Sequence, residues 1–456
     1  MNRLELWRLA GREVSVAGLA RSGFAAVRLL RAYDLPVYAS DNRDSDDTVA
    51  TATRLRAEFT SSVTVETGGH DLGRISRSAA LVLSPGIPPT AAVVRAAEAA
   101  GVVVLAEAQV GLDALAGVRY VAITGTNGKS TVTALVDHLL CHAGISSVAA
   151  GNIGTPLSAV AMVTPKPQWL AVELSSFQLH DCPDIAPTIG ILTNLAPDHL
   201  DRYPTLEAYY ADKAQLFRNA GAGSIWVSNL DDPASRRMVS GVAGRHLAFT
   251  VADGVRADAW YDRVGGVMML AGRPLLSRAV LPLLGDHNVA NALAAALAVH
   301  AAGINHARIA EGLASFRALT HRMEPVREVR GVLWINDSKA TNVASTLVAV
   351  QAMTRPFVLL LGGRHKGEPY AALREPLREH GVAVVAYGEA GDLIEADLRD
   401  AITVVRGEAF EDCMAKAATL VPKHGAVLLS PACSSYDMFD NYEQRGATFR
   451  QLVEAM

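Results

Sequence analysis

The residues best suited to chemistry form one short run, Gly125-Thr126-Asn127-Gly128-Lys129-Ser130-Thr131, set between an apolar stretch and a helix-forming one. Glycines let the backbone turn tightly, so that N–H groups can face phosphate oxygens. The amino end of a following helix adds partial positive charge. Lys129 has the reach to a nucleotide's β- and γ-phosphates, and the Ser130 hydroxyl is a Mg²⁺ ligand type. The general pattern GxxxxGK[ST] wants its first glycine at position 123, where Ile123 stands. The plain alternative is a strand–helix turn that carries a lysine by accident.

A second group follows. Glu173 leads into Leu174-Ser175-Ser176, His199 lies in Asn194-Leu195-Ala196-Pro197-Asp198-His199, and Lys213 comes after Tyr209. A carboxylate, an imidazole and a serine hydroxyl near a phosphate loop suit a Mg²⁺ site. Mg²⁺ prefers oxygen ligands and keeps several waters, so a histidine ligand would be unusual. Taken singly, His199 reads as a hydrogen-bonded structural histidine and Lys213 as a solvated helix lysine. Only their joint occurrence after a phosphate loop makes the case.

Near the amino end, Gly18 and Gly23 are the outer glycines of a GxGxxG pattern whose middle position is Ala20. Asp41 follows where a dinucleotide fold places an acidic residue for a ribose hydroxyl. Without the middle glycine, close backbone approach to a pyrophosphate is harder. From these residues alone a nicotinamide cofactor, a uridine nucleotide and an empty turn all remain open.

Such residues need rigid elements to hold them. Short apolar runs alternate with Ala/Leu-rich stretches, the pattern of βαβ units and parallel sheets covered by helices. Strands are predicted over 13–17, 36–40, 79–83, 118–123, 169–174, 188–193, 224–228, 332–336, 356–361, 382–387 and 426–430. Helices are predicted after Thr131 to about 143, over 288–302, and after Gly23 to about 33. The expected fold class is α/β in three domains: a Rossmann-like N-terminal domain (1–107), a central domain with a mostly parallel sheet of the P-loop ATPase type (108–318), and a Rossmann-like C-terminal domain (319–456). Each predicted strand ends in a polar or Gly-rich loop, where open α/β sheets collect ligands.

Composition narrows the classes. Of 456 residues, 50% are hydrophobic and 19% charged, which supports a sizeable core and excludes global disorder. A net charge of -4 gives no basic footprint for nucleic acid. The amino end has charges spread through it and lacks the apolar centre of a secretion signal. The uncharged run 142–165 holds Gly, Asn and Pro, so no transmembrane helix is expected there. Cys141, Cys182, Cys413 and Cys433 are far apart and show no zinc spacing, which fits a reducing cytoplasm.

The motifs GTNGKST, ELSSFQL, NLAPDHLDRY with YYADK, GDHNVAN, HRME and DSKATN occur in this order. Together they resemble the Mur ligase family, the ATP-dependent amide-forming enzymes of peptidoglycan precursor synthesis. The resemblance spans nearly the whole chain. It implies three domains that bind a UDP-linked substrate, ATP and an incoming amino acid. The family's phosphate loop lacks the first glycine, so Ile123 is no objection. GLARSG with DNR and SPGIPP, and LLSPACSSYDMFDNYEQRG, are similar to the members that add D-glutamate to UDP-N-acetylmuramoyl-L-alanine. No DNPR-like motif of the diaminopimelate-adding members appears. Ala20 and Tyr442 depart from the pattern, which often has Gly and Phe there.

The resemblance also implies roles. Lys129, Glu173, His199 and Lys213 are the catalytic set. Ser130 and Glu173 would hold one Mg²⁺ and His199 a second, with Lys213 carrying a CO₂-derived carbamate. ATP would meet Gly125 through Thr131, with Asn288 and Asn291 at the adenine and Arg322 and Asp337 near the ribose and phosphates. The UDP substrate would meet Ser22, Asp41, Asn42, Arg43, Ser84, Gly86 and Asn152. The amino acid would meet Lys339, Thr341, Lys366, Ser435 and Tyr442. Plainer readings exist: Asn288 as a helix cap, Lys366 as a solvated charge, Tyr442 as a core aromatic. The partners implied are small molecules only, with no nucleic acid, no membrane and a monomeric enzyme. The third domain is expected to swing shut and exclude water. Competing expectations are a folylpolyglutamate-type ligase, a plain ATPase and a nicotinamide dehydrogenase.

Overall fold

A computed structural model describes residues 2–199 and 202–456. The chain divides into two compact units. One is Met1–Leu276 with Asn291–Leu313, and the other is Ser277–Ala290 with Ala314–Met456. The first holds two sheets and the second holds a third, which gives the α/β class in three domains.

The first sheet comprises β1 (Val14–Ala17), β2 (Val37–Asp41), β3 (Val63–Thr67), β4 (Ala80–Leu83) and β5 (Val103–Ala106). Its order is β3-β2-β1-β4-β5 and every pairing is parallel. β1, β2 and β4 are buried along their whole length, as strands covered on both faces must be. Strand order reverses between β1 and β4, so a crevice opens at their carboxyl ends.

The second sheet comprises β6 (Arg119–Thr124), β7 (Ser147–Gly151), β8 (Trp169–Glu173), β9 (Ile189–Leu192), β10 (Ile225–Asn229), β11 (Arg245–Thr250), β12 (Ala259–Asp262), β13 (Val267–Leu270) and β14 (Arg273–Ser277). Its order is β14-β13-β12-β11-β10-β9-β6-β8-β7. Pairings from β7 across to β12 are parallel, and β12 pairs β13 antiparallel. Ile123 lies opposite Glu173 and Thr124 opposite Leu192. That register brings the phosphate loop, Glu173 and Thr193-Asn194 out at one edge. The helix Asp286–Ala301 has Ala292 to Val299 at most 2% exposed, which explains why it is apolar on every face.

The third sheet comprises β15 (Glu324–Val329), β16 (Val332–Asn336), β17 (Phe357–Gly362), β18 (Gly381–Tyr387), β19 (Thr403–Arg406) and β20 (Ala426–Leu429). Its order is β15-β16-β20-β17-β18-β19, parallel except for β15 against β16. Asn336, Leu429 and Leu360 stand in register. The loops after β16, β17 and β20 therefore leave from neighbouring strand ends. Among the described residues no helix is long and apolar enough to cross a membrane.

Candidate active site

The phosphate loop runs from β6 into the helix Lys129–His142, as its sequence predicted. Gly125 has φ +146°, and a Cβ there would stand 2.0 Å from Thr193 Oγ1. Gly128 has φ +82°, and a Cβ would stand 2.3 Å from Asn291 Oδ1. Both positions thus need glycine for backbone conformation and for space. Gly128 has no side chain to cap the helix, so the first-turn N–H groups can face an anion. Lys129 Nζ donates to Gly125 O at 3.0 Å and Thr126 O at 2.7 Å, which holds the lysine over its own loop. Thr126, Ser130 and Thr131 are buried, and Asn127 is half-buried.

Two residues not singled out in the sequence fasten this loop. Asn194 Oδ1 accepts the Asn127 N–H at 2.9 Å, and Asn194 Nδ2 donates to Asn127 O at 3.0 Å. Thr193 Oγ1 donates to the same carbonyl at 2.6 Å. Both follow β9, the neighbour of β6. Their motif was visible, but their job depends on strand order.

Lys213 Nζ donates to Gly125 O at 2.8 Å and lies 4.6 Å from the centre of the Tyr209 ring. It is 1% exposed, so it is not the solvated helix lysine of the plain reading. Burial, and then the charge of Lys129, push its amine well below the usual lysine range. Glu173 is 2% exposed. Its Oε1 accepts from Asn152 Nδ2 at 2.9 Å, while Oε2 is buried with no hydrogen-bond partner among the described residues. A buried carboxylate oxygen left in this way fits a hard cation. Among the described residues no three His, Cys, Asp or Glu side chains converge. A Mg²⁺ here would draw on serine, carboxylate, phosphate and water oxygens. Asn152, expected at the UDP substrate, is bonded to Glu173.

His199 has φ +56° and a side chain 44% exposed. Its ring meets Phe177 edge-on at 5.3 Å and Tyr209 at 6.0 Å. It therefore shares an aromatic wall with Tyr209, which holds Thr126 Oγ1 at 3.3 Å.

In the β1–β4 crevice, Ser84 Oγ donates to Gly18 O at 2.9 Å. A Cβ at Gly23 would come 1.7 Å from Gly18 O, which is why the helix Arg21–Ala32 can pack so close. Ala20 is the N-cap of that helix with φ -67°, so the position makes no demand for glycine. Asp41 and Arg43 hold each other, with Nε to Oδ1 at 3.1 Å and Nη2 to Oδ2 at 3.0 Å. Asp41 Oδ2 also accepts the Leu19 N–H at 2.8 Å. Burial opposes ionisation, but Arg43 and the two backbone N–H groups outweigh it and hold the Asp41 carboxyl at about 2. Arg43 is thus engaged with Asp41, and Asp41 braces the Gly18-Leu19 turn. Ser22 is half-buried, and Asn42 and Gly86 are exposed at the same strand ends.

In the second unit, Asn288 is the third residue of the helix Asp286–Ala301 and so is not its N-cap. Its Nδ2 donates to Leu284 O at 2.7 Å. Asp337 is 7% exposed, accepting from Ser430 Oγ at 2.8 Å and the Met323 N–H at 3.1 Å. Burial pushes its carboxyl up to about 7 against those bonds and the Arg322 charge. Lys339 Nζ lies 5.3 Å from the centre of the Tyr442 ring. Tyr442 is half-buried at a helix start, not a core aromatic. Lys366 is exposed in the loop after β17, Thr341 is half-buried and Ser435 is 2% exposed. The Arg364 N–H donates to Ser434 O at 2.8 Å, and Glu368 Oε2 accepts the Val343 N–H at 3.0 Å. These bonds tie the Lys366 loop to the loops carrying Ser435 and Thr341.

Comparison with known proteins agrees with this architecture. Residues 12–106 match the model of the Mur ligase MurD-like N-terminal domain, 123–299 the Mur ligase middle domain, and 321–433 the Mur ligase glutamate ligase domain. The UDP-N-acetylmuramoylalanine--D-glutamate ligase of Myxococcus xanthus is 38% identical, over 98% of this chain and 99% of that protein. The enzyme of the same name from Salinibacter ruber is also 38% identical, over 97% of each chain. Among solved structures, the UDP-N-acetylmuramate-alanine ligase MurC of Thermotoga maritima aligns with a TM-score of 0.62 at 18% identity. That alignment covers 97% of this chain and 99% of that one, a likeness of fold. With all three domain models matched in order and close relatives aligned end to end, the chain belongs to the Mur ligase family.

Proposed function

We propose that the chain is an ATP-dependent ligase that joins the L-alanyl carboxylate of UDP-N-acetylmuramoyl-L-alanine to the amine of D-glutamate. ADP and phosphate are released, and the product is a peptidoglycan precursor. The observation that carries the chemistry is the buried Lys213 amine on the carbonyl of Gly125, with the charge of Lys129 nearby and a buried Glu173 oxygen that has no hydrogen-bond partner among the described residues. The choice of substrates rests on the likeness to relatives of that name along the whole chain.

Carboxylate and amine do not condense in water, because a carboxylate is a poor electrophile. Its oxygen attacks the γ-phosphorus of ATP, ADP leaves and an acyl phosphate forms. The amine then attacks the acyl carbon, a tetrahedral oxyanion forms, phosphate departs and the nitrogen loses a proton. Two anions must meet in the first step, so Lys129 lies against the phosphates as they approach. Gly125 through Thr131 would cradle those phosphates, with the backbone N–H groups at the start of the helix Lys129–His142 facing them while Asn194 holds the N–H groups of Thr126 and Asn127. Ser130 and Glu173 would hold one Mg²⁺ and His199 a second. Bound there, Mg²⁺ supplies positive charge between the two anions. Lys213 would present carbamate oxygens, formed when its neutral amine attacks CO₂ and loses a proton.

We assign the nucleotide of the UDP substrate to the β1–β4 crevice, with Ser22, Asn42, Ser84 and Gly86 at its rim and Asp41 and Arg43 bracing it. Asn288, Asn291, Arg322 and Asp337 serve ATP. Lys339, Thr341, Lys366, Ser435 and Tyr442 serve the amino acid. The domain limits of this reading are 1–107, 108–318 and 319–456. The enzyme acts as a monomer in the cytoplasm, where its four thiols suit a reducing medium.

The test is phosphate release with Mg²⁺, ATP and UDP-N-acetylmuramoyl-L-alanine, adding D-glutamate, L-glutamate, L-lysine or nothing. Release only with D-glutamate, with a matching mass gain in the UDP product, is expected. Release without amino acid and indifferent to the UDP compound would reduce the reading to an ATPase.

A further inference from the structure

Arg445, on the helix Tyr442–Glu454, is fully buried. Its Nε donates to Ser338 Oγ at 3.0 Å and its Nη2 to Ser338 O at 2.8 Å. Nη1 and Nη2 reach Cys433 O at 3.2 and 3.3 Å. Among the described residues each of these bonds ends on a neutral oxygen and none on a carboxylate. A desolvated guanidinium without a counter-ion is costly, and an apolar side chain would fill the space at lower cost. What only Arg supplies is a planar fork that holds two backbone segments at a fixed spacing.

The segments it holds are the ones that carry the amino-acid-binding candidates. Ser338 immediately precedes Lys339 in the loop after β16. Cys433 lies just before Ser434 and Ser435 in the loop after β20. While accepting from Arg445, Ser338 Oγ donates to Tyr442 O at 2.9 Å. A Cβ at Gly363 would stand 3.2 Å from Arg445 Nη1, so the start of the Lys366 loop packs on the same guanidinium. The antiparallel bridge of Arg364 with Ser434 then fixes that loop to the Ser435 loop. Arg445 itself has no exposed surface with which to touch a ligand.

We infer that Arg445 is a positioning residue, which sets the spacing of Lys339, Lys366, Ser435 and Tyr442 and so the fit to a dicarboxylate amino acid. The inference rests on the reading that these loops bind glutamate. A misplacement of about 1 Å in such groups can cost on the order of 100-fold.

The experiment is steady-state phosphate release by the full-length parent, Arg445→Lys, Arg445→Met and Ser338→Ala, varying each of the three substrates in turn. Arg445→Lys keeps the charge but loses the fork. It is expected to raise KM for D-glutamate by roughly tenfold or more, with KM for ATP and the UDP substrate within about twofold of the parent. Ser338→Ala should move KM for D-glutamate the same way by less. If Arg445→Met does not fold, the other two variants still decide. Equal rises in all three KM values, or a fall in kcat alone, would mean a general structural role and overturn the inference. A parent without D-glutamate dependence would remove the proposed function and this inference together. A D-glutamate-dependent parent with unmoved variants would remove only this inference.

Discussion

Lys213 and Gly125 meet through a 2.8 Å hydrogen bond from the lysine Nζ to the glycine carbonyl, although far apart in sequence. The bond anchors the phosphate loop from beneath, and it forces a lysine into a place that disfavours ammonium. Burial is the larger cause and the charge of Lys129 the next. Both favour the neutral amine over ammonium, and a neutral amine is the form that attacks CO₂.

Replacing Lys213 by alanine removes the anchor and the oxygens a carbamate would supply. The expected loss in kcat is on the order of 10²–10³-fold, the range for losing one preorganised electrostatic contact. Acetate or propionate, diffusing into the space, should restore part of the rate. A Lys213→Ala enzyme that runs at full rate with no added carboxylate would sink the carbamate role.

Gly23 tests the crevice between β1 and β4. A methyl there would meet Gly18 O at 1.7 Å, a clash that only movement of the helix Arg21–Ala32 away from β1 can relieve. Gly23→Ala should destabilise by about 1–3 kcal/mol, as overpacking does. It should raise KM for the UDP substrate while leaving KM for ATP near the parent value. Unchanged urea midpoint and KM would show that the crevice does not hold the nucleotide.

Lys366 is exposed, so its loss should cost no stability. Its loop is tied to Ser434 and, through Glu368, to the amino end of the helix after Thr341. Lys366→Ala is expected to raise KM for D-glutamate roughly tenfold or more, about the worth of one charge-assisted hydrogen bond. Equal effects on KM for ATP would return Lys366 to the status of a surface charge.

The sequence made the phosphate loop and the long buried strands legible, because each carries a strong local signal: glycine spacing, or an unbroken apolar run. The segment over β12 to β14 was not read as strands. Its pieces are short and half-exposed, and Gly and Arg interrupt them. Asn194 and Thr193 looked like ordinary loop residues, since their grip on Asn127 exists only because β9 lies beside β6. Ala20 looked like a defect in a glycine pattern, and at a helix N-cap with negative φ it is none. Arg43 was expected at the UDP substrate, and its ion pair with Asp41, two residues earlier, was not legible in the sequence. Local pattern gave elements and residue types; which side chains are already spent on one another depends on tertiary contact.

Asp337 gives a prediction about pH. Burial raises its carboxyl to about 7, with Ser430, the Met323 N–H and Arg322 opposing. In the unfolded chain an aspartate titrates near 3.9. Between about pH 4 and 7 the folded protein therefore keeps a proton that the unfolded chain has lost. Stability from this group is complete below about pH 4 and declines as pH rises towards 7, by at most about 1.4 kcal/mol per pH unit. Asp337→Asn is nearly isosteric. It can accept from the Met323 N–H and donate to Ser430 Oγ, but it cannot ionise. Urea midpoints of both proteins at pH 5 and pH 7 check the sign. The parent should lose stability relative to the variant between the two, by about 1 kcal/mol per unit. Parallel profiles would mean that Asp337 is already ionised in the fold at pH 5, held so by Arg322 more strongly than burial opposes it.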